Sequence, residues 1–360
     1  MINNSIIYKD IQTILSEEIE WDYLRGKTIL VTGANGFIPS YIVYTLLELN
    51  ISKFKNNPMN ILALVRNKEK AFNKFAQFNS RKDFNLIVSD VSEPISLHGK
   101  IDIIIHAASQ ASPKYYGVDP VGTLKANTIG TANLLELARN NNAEKFLYIS
   151  SGEVYGVLDG SLNLISESYT GNVDVTNVRS CYAESKRMGE NMCVCWSHQY
   201  KFHVNMLRLS HTYGPGIELD DGRVFGDFVK NVVHNEDIVL NSDGKAKRTF
   251  LYITDMIAAL FRVLFKGENG HAYNIAADTE IEIRELAQFL CNLYPEKKIS
   301  VKFNSKTVPS GYIRSTSIGG ILSTEKIKKL GWEQKVSIEQ GFRRMIESYV
   351  YLQIQGQNAY

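Results

Sequence analysis

Lys27-Thr28-Ile29-Leu30-Val31-Thr32-Gly33-Ala34-Asn35-Gly36-Phe37-Ile38 is the stretch on which the fold turns. Its first half is a short apolar run rich in β-branched residues, which reads as a buried strand. Gly33 and Gly36 follow at once, and Tyr41 to Leu49 then reads as a helix. Strand, glycine turn and helix N-terminus together make a cradle for a phosphate. Glycine lets the backbone come close, and the unpaired N–H groups and positive dipole end of the helix attract the anion. Asn35, Phe37 and Ile38 share the turn, and Pro39 stands where a third glycine is usual. Proline suits a first helical turn. Taken alone, the segment also fits an ordinary strand-to-helix turn.

The alternation continues beyond it. Asn60 to Val65, Asn85 to Ser89, Ile101 to Ile105, Lys145 to Ile149 and Val204 to Leu209 read as strands, and Pro120 to Arg139, Ile281 to Leu293 and Ser323 to Leu330 as helices. Strands alternating with helices predict an α/β fold with a doubly wound parallel sheet. Ligands of such sheets sit beyond the carboxyl ends of the strands. Arg66, Asp90-Val91, Ala107-Ala108-Ser109 and Ser151-Gly152-Glu153 fall there, and Asn127 lies on the intervening helix. The expected ligand is a dinucleotide, NAD or NADP. An acidic residue at the end of the second strand would bind the ribose hydroxyls of NAD, whereas an arginine accommodates the 2′-phosphate of NADP. Arg66 stands at that place and leans the reading toward NADP.

Ser180-Cys181-Tyr182-Ala183-Glu184-Ser185-Lys186-Arg187 comes next. Lys186 follows Tyr182 by four positions, so a helix puts both on one face. An ammonium beside a phenol favours the phenolate and lowers its pKa, which would make Tyr182 a general base. Most such spacings are only solvated helix faces. Here the residues upstream, Ser151 and Glu153 at a strand end, give the pair something to act with. A carboxylate at Glu153 also reads as a structural hydrogen bond to its own loop.

Composition narrows the class. The chain has 360 residues, a net charge of +2, 44% hydrophobic and 22% charged residues. Those values suit a globular protein of one large or two modest domains and imply no nucleic-acid partner. No apolar run is long enough to span a membrane. Four cysteines (Cys181, Cys193, Cys195 and Cys291) form no disulfide framework, and a reduced, cytoplasmic protein is expected. No metal site is expected. Residues 1–25 read as a helical extension packed through Trp21, Tyr23 and Leu24, without site residues. Residues 26–210 read as the dinucleotide-binding domain, and 211–360 as a substrate region that returns to it in part.

Taken together, Thr32-Gly33-x-x-Gly36-Phe37-Ile38, His106-Ala107-Ala108, Asn127-x-x-Gly130-Thr131, Ser150-Ser151-x-x-Val154-Tyr155-Gly156, Tyr182-x-x-x-Lys186 and Tyr213-Gly214-Pro215 run in one order along the chain. The set resembles the extended short-chain dehydrogenase/reductases that modify nucleotide sugars, the NAD-dependent epimerase/dehydratase family. Within that family the stretches Ala111 to Tyr116, Thr123 to Thr131, Ser180 to Arg187 and Asp221 to Val224 are most similar to the UDP-glucuronate decarboxylases. The resemblance implies a Rossmann-type domain with a smaller C-terminal α/β substrate domain, usually paired as a homodimer. It also implies that Tyr182 removes the C4 hydroxyl proton as hydride leaves for the nicotinamide. Ser151 would hold the same oxygen, Lys186 the nicotinamide ribose, and Glu153 would serve chemistry at C5.

Several positions depart from that subgroup. Besides Pro39, Arg66 replaces an acid, Gly152 a serine (an aspartate in dehydratases), and His211 an asparagine. Basic and polar residues suited to a nucleotide-diphosphate sugar are Lys114, Tyr115, His211, Arg223, Arg248 and Arg314. Three functions remain open from the sequence: a decarboxylase of a UDP-glucuronate-like substrate; a 4-epimerase, 4-ketoreductase or atypical 4,6-dehydratase; and a non-catalytic NADP(H)-binding sensor.

Overall fold

The structure is a computed structural model, and it describes residues 2, 4–97, 99–157, 164–304 and 320–354. Arg314 lies outside the described residues. The strands are β1 (Thr28–Thr32), β2 (Asn60–Val65), β3 (Phe84–Val88), β4 (Ile103–His106), β5 (Lys145–Ser151), β6 (Leu164–Ile165), β7 (His203–Leu209), β8 (His211–Tyr213), β9 (Ile238–Leu240), β10 (Lys247–Tyr252), β11 (His271–Ile275), β12 (Glu280–Glu282), β13 (Val301–Phe303) and β14 (Ile321–Leu322). The helices are α1 (Ser5–Leu15), α2 (Phe37–Ser52), α3 (Lys68–Lys74), α4 (Lys114–Val118), α5 (Pro120–Asn127), α6 (Ile129–Asn140), α7 (Cys181–Tyr200), α8 (Val224–His234), α9 (Ile253–Lys266), α10 (Ile283–Leu293), α11 (Glu325–Lys328) and α12 (Ile338–Ile354).

Seven strands form one sheet in the order β11-β7-β5-β4-β1-β2-β3, and every neighbouring pair is parallel. This is the doubly wound α/β fold expected. All four β4 residues are buried, as are Ile29 to Thr32 of β1, because helices cover both faces of the sheet. The register sets Thr32 beside Leu64 and His106, and Ser151 beside Leu209. The carboxyl ends of β1, β4, β5 and β7 therefore open on one edge. A three-stranded sheet (β12-β10-β8) stands above it, with α8, α10 and α12 around it.

Three boundaries differ from the sequence reading, each for a local reason. The helix expected over Pro120 to Arg139 breaks into α5 and α6 at Thr128. There Asn127 turns inward to Ser185, and Gly130 lies so close to Val91 that a Cβ would come within 2.7 Å of Val91 Cγ2. The helix expected from Ile281 starts only at Ile283, because Glu280–Glu282 pairs with β10 and Glu282 then closes a capping box with Glu285. The helix expected over Ser323 to Leu330 shortens to α11, because the preceding β14 pairs with β6.

The N-terminal extension is helical, and it is also a structural tie. Asn4 caps α1 through the backbone N–H groups of Ile6 and Ile7, and its Nδ2 donates to Ser348 Oγ of α12 at 2.9 Å. Trp21 packs edge-on against Phe261 of α9. Between α1, α2, β10 and α12 lies the buried carboxyl of Asp10. It accepts from Tyr252 at 2.7 Å and Tyr41 at 3.1 Å, with Arg344 at 3.3 Å.

Burial raises the Asp10 pKa to about 6, against the pull of Tyr252 and Arg344. The folded state therefore binds this proton more tightly than an unfolded aspartate does, whose pKa is about 3.9. The stability gained is complete below about pH 4 and is lost as pH rises through about 6. The difference in melting temperature between wild type and Asp10→Asn is expected to favour wild type more at pH 4.5 than at pH 7.5. Thermal unfolding at the two pH values measures it.

Candidate active site

A cleft of about 1430 Å³ runs along the carboxyl edge of the main sheet and under the three-stranded sheet. Its floor starts at the glycine turn. Gly33 has φ +63°, and a Cβ there would lie 2.8 Å from Ala108 Cα, so the close passage of the two strand ends requires glycine. Gly36 stands at the N-cap of α2 and donates to Gly33 O at 2.8 Å. Thr32 Oγ1 accepts from Ala107 N and Ala108 N at 3.1 and 3.0 Å and meets His106 Nδ1 at 2.9 Å. Burial, with Lys186 adding, pushes His106 down to about 3, so it is a neutral brace.

Gly33, Asn35, Gly36, Phe37, Ile38, Arg66, Ala107, Ala108, Ser109, Tyr182 and Lys186 all line the cleft. Asp90, Val91 and Asn127 do not. Asp90 stands 3.7 Å from Arg66 and accepts from Ser92, Val91 is buried against Gly130, and Asn127 is fully buried behind the floor. Arg66 itself is mostly exposed at the rim. Farther along the rim, Lys70 of α3 pairs with Glu218.

Tyr182 and Lys186 lie on α7 as the spacing predicts, both buried. Lys186 Nζ donates to Ile149 O at 2.7 Å and sits 4.7 Å from the Tyr148 ring centroid. Here the structure corrects the expected electrostatics. The Tyr182 pKa is not lowered. It is pushed up to about 12, first by burial and then by the Glu153 charge, while Ser151, Arg223 and Arg179 pull it down. The ammonium stands 5.8 Å from the Tyr182 ring, turned to the Ile149 carbonyl, and burial lowers its own pKa to about 7.

Glu153 lies in the turn Gly152–Tyr155 that follows β5, where Ser151 Oγ accepts from its N–H. The carboxylate is gripped by Arg179, with Nη1 to Oε2 at 2.8 Å and Nη2 to Oε1 at 2.7 Å. The Arg179 guanidinium also lies 4.5 Å over the Tyr116 ring, and Tyr116 stacks on Tyr182 at 4.9 Å and 19°. Sequence reasoning missed both Arg179 and Tyr116. One signal was present: an arginine just before a helix N-terminus faces the positive end of the helix dipole and needs an acid nearby.

Gly152 carries no side chain, and the space beside it is tight. A Cβ would come 3.0 Å from Leu322 Cδ1, which β14 brings to the cleft wall. Lys114, Tyr115, His211, Arg223 and Arg248 line the cleft as well. The loop bearing Lys114 is tied to that bearing Arg223 through Ser112, which donates to Asp221 O. His211 opens onto the cleft but is enclosed by protein, and with Arg248 and Arg223 near it the imidazole is pushed down to about 3. Ile2, Asn4 and Ile7 of the N-terminal extension also reach the cleft wall, a contribution the sequence reading did not assign.

Residues 29–276 match the model of the NAD dependent epimerase/dehydratase family. The chain belongs to this family. It is an enzyme of the kind that acts on nucleotide sugars. UDP-glucuronic acid decarboxylase 5 of Arabidopsis thaliana is 33% identical over 321 residues, 89% of either chain. UDP-glucuronic acid decarboxylase 1 of Xenopus tropicalis is 31% identical over 330 residues, 90% of this chain and 72% of that one. Among solved structures, the UDP-glucuronic acid 4-epimerase of Bacillus cereus in complex with UDP-glucuronic acid and NAD superposes with a TM-score of 0.73 at 22% identity, covering 90% of this chain and 99% of that one. The dTDP-glucose 4,6-dehydratase of Bacillus anthracis in complex with NAD gives 0.71 at 22% identity, covering 90% and 96%. At that identity the two structures speak for the fold alone.

The residues present fit a nicotinamide dinucleotide. The glycine cradle opens at the N-terminus of α2, and the hydroxyls of Ser109 and Ser210 are buried in the cleft wall with no hydrogen-bond partner among the described residues. Gly33→Ala is expected to cost about 1–3 kcal/mol from its left-handed backbone alone, with further loss from the Ala108 contact. Urea unfolding of the variant measures it, and a titration with dinucleotide should show weakened binding.

Proposed function

We propose that this enzyme oxidises a nucleotide-linked uronic acid at C4, releases C6 as carbon dioxide and reduces the resulting ketone, as a decarboxylase of UDP-glucuronate. The observation that carries the reading is the convergence of Ser151, Tyr182 and Glu153 on one point of the cleft, beside a Gly152 that brings no side chain to it. A 4,6-dehydratase needs an acid for the departing C6 hydroxyl, and no side chain at residue 152 supplies one. A 4-keto uronic acid is a β-keto acid and loses carbon dioxide without one. The named decarboxylase relatives support the same reading.

A bound nicotinamide dinucleotide supplies the acceptance and return of hydride. Gly33 to Ile38 would hold its pyrophosphate at the α2 N-terminus, and Lys186 its nicotinamide ribose. Tyr182 moves the C4 hydroxyl proton, and the Ser151 hydroxyl holds the same oxygen. Arg223 and Arg179 keep the phenol below the value burial alone would impose. When the C5–C6 bond breaks, its electron pair passes toward the C4 oxygen, where Tyr182 and Ser151 stabilise the enolate. Glu153 would relay a proton from solvent to C5, which restores the carbon. Arg248 and Arg223 suit the diphosphate, and Lys114 and Tyr115 the sugar's carboxylate end.

Arg66 favours NADP over NAD, because its guanidinium stands at the end of β2 where an acid would bind ribose hydroxyls and repel a 2′-phosphate. That feature also keeps a second reading alive, a 4-ketoreductase fed by NADPH, which stoichiometric NADPH consumption by a 4-keto sugar would establish. Proton NMR of the enzyme with UDP-glucuronate and added dinucleotide is expected to show a pentose anomeric signal. Unchanged UDP-glucuronate would sink the decarboxylase. Tyr182→Phe is expected to lose ~10²–10⁴-fold in turnover, whereas a non-catalytic sensor would keep its binding response intact. Isothermal titration is expected to give tighter binding of NADP than NAD, and Arg66→Asp should reverse the order.

A further inference from the structure

We propose that Arg179 is the positioning residue of this site, holding the Glu153 carboxylate with a two-pronged grip and the Tyr182 ring through the intervening face of Tyr116. The inference rests on the reading of Tyr182 as the group that moves the C4 proton. It adds a residue that neither the motif spacing nor the family resemblance supplied.

Three observations meet at Arg179. Both terminal nitrogens are committed to Glu153 at 2.7 and 2.8 Å, a fork that fixes the carboxylate in plane as well as in place. The flat guanidinium covers Tyr116 at 4.5 Å, and Tyr116 in turn covers Tyr182 at 4.9 Å, nearly parallel. Tyr116 cannot slide, because it is buried and its hydroxyl donates to Ala111 O at 3.0 Å. Arginine, ring and ring thus form one column from the turn Val178–Ser180 to the reacting phenol.

The column is not explained by stability alone. Arg179 lies just before α7, at the end of the helix where a cation is disfavoured. Its Nε is buried without a partner among the described residues, a cost that calls for an explanation. Lysine offers neither the fork nor the flat face.

Charge around the phenol follows from the same geometry. Tyr182 is faced by Ser151 and Tyr148 of β5, Glu153 of the following turn, Tyr116 of α4, Cys181 and Lys186 of α7, Arg179 before α7, and Arg223 before α8. Glu153 pushes the phenol up, and Arg179 and Arg223 pull it down. Loss of Arg179 removes a cation and leaves Glu153 unbalanced. Both changes move the phenol the same way, upward.

The test measures single-turnover reduction of bound dinucleotide, read at 340 nm, as a function of pH. Arg179→Gln is expected to lower the rate ~100-fold through misplacement of the reacting groups, to change KM less than about threefold (a margin of ~0.65 kcal/mol), and to shift the acid limb to higher pH. Arg179→Lys should bring the limb back without restoring the rate, since charge returns but the fork does not. Adding Glu153→Gln to Arg179→Gln should also bring the limb back. Tyrosine labelled at the ζ carbon gives the same answer without turnover: the Tyr182 resonance, assigned with Tyr182→Phe, should titrate later in Arg179→Gln. If Arg179→Gln does not fold, Arg179→Lys and Tyr116→Leu carry the test, both losing rate with little change in KM. An unmoved limb and resonance in Arg179→Gln, or equal losses in rate and KM across the set, would overturn the proposal. Wild type that makes no pentose but reduces its dinucleotide with another nucleotide sugar would sink the decarboxylase alone, and Arg179 is then tested on that sugar.

Discussion

The hydrogen bond from Lys186 Nζ to Ile149 O, 2.7 Å long, is the constraint on which the site depends. A buried ammonium is tolerated only where its donors are satisfied. Here one donor is taken by a carbonyl near the end of β5, which pins α7 across the carboxyl edge of the sheet. One helical turn before Lys186, Tyr182 is then delivered beside Ser151. The arrangement is braced from behind by Glu190, which accepts from Ser150 at 2.5 Å and from Arg208 at 2.7 Å, while Arg208 donates onward to Tyr155 at 2.9 Å. Ordering α7, β5 and β7 together costs conformational freedom, but the packing and these charge-assisted bonds offset it with one rigid edge.

That rigidity shapes the chemistry. The Tyr182 phenol is deeply buried, which by itself makes ionisation harder. The protein answers with cations placed on two different elements, Arg179 and Arg223, and with one hydroxyl, Ser151. Glu153 acts in the opposite direction, and its ion pair with Arg179 keeps the two charges together. The site is a balance of groups that no single motif contains.

The wall of the cleft carries a second lesson. Leu322 reaches the Gly152 position only because β14 pairs with β6, far from either in sequence. Likewise the N-terminal extension meets α12 through Asn4 and Asp10, and its first residues reach the cleft. Both contributions come from chain segments whose composition is unremarkable for any helix or strand. Their roles follow from which neighbour the fold gives them.

Read alone, the chain determined its sheet. Buried parallel strands need apolar runs, a phosphate cradle needs glycines at Gly33 and Gly36, and a helical pair needs four-residue spacing at Tyr182 and Lys186. Each of those signals is local, so each was legible. The break at Thr128 was not, because it answers to Ser185 and Val91 across the fold. The Tyr182 pKa was not either: its direction is set by burial and by Glu153, while the lysine four residues away is engaged elsewhere. Asp90, Val91 and Asn127 carried the right spacing, yet Asp90 stands beside Arg66, Val91 packs on Gly130 and Asn127 is buried against Ser185. Local spacing fixes which face of an element a side chain shares. Only tertiary packing decides what that face meets, and the charge, burial and reach of the site depend on that meeting.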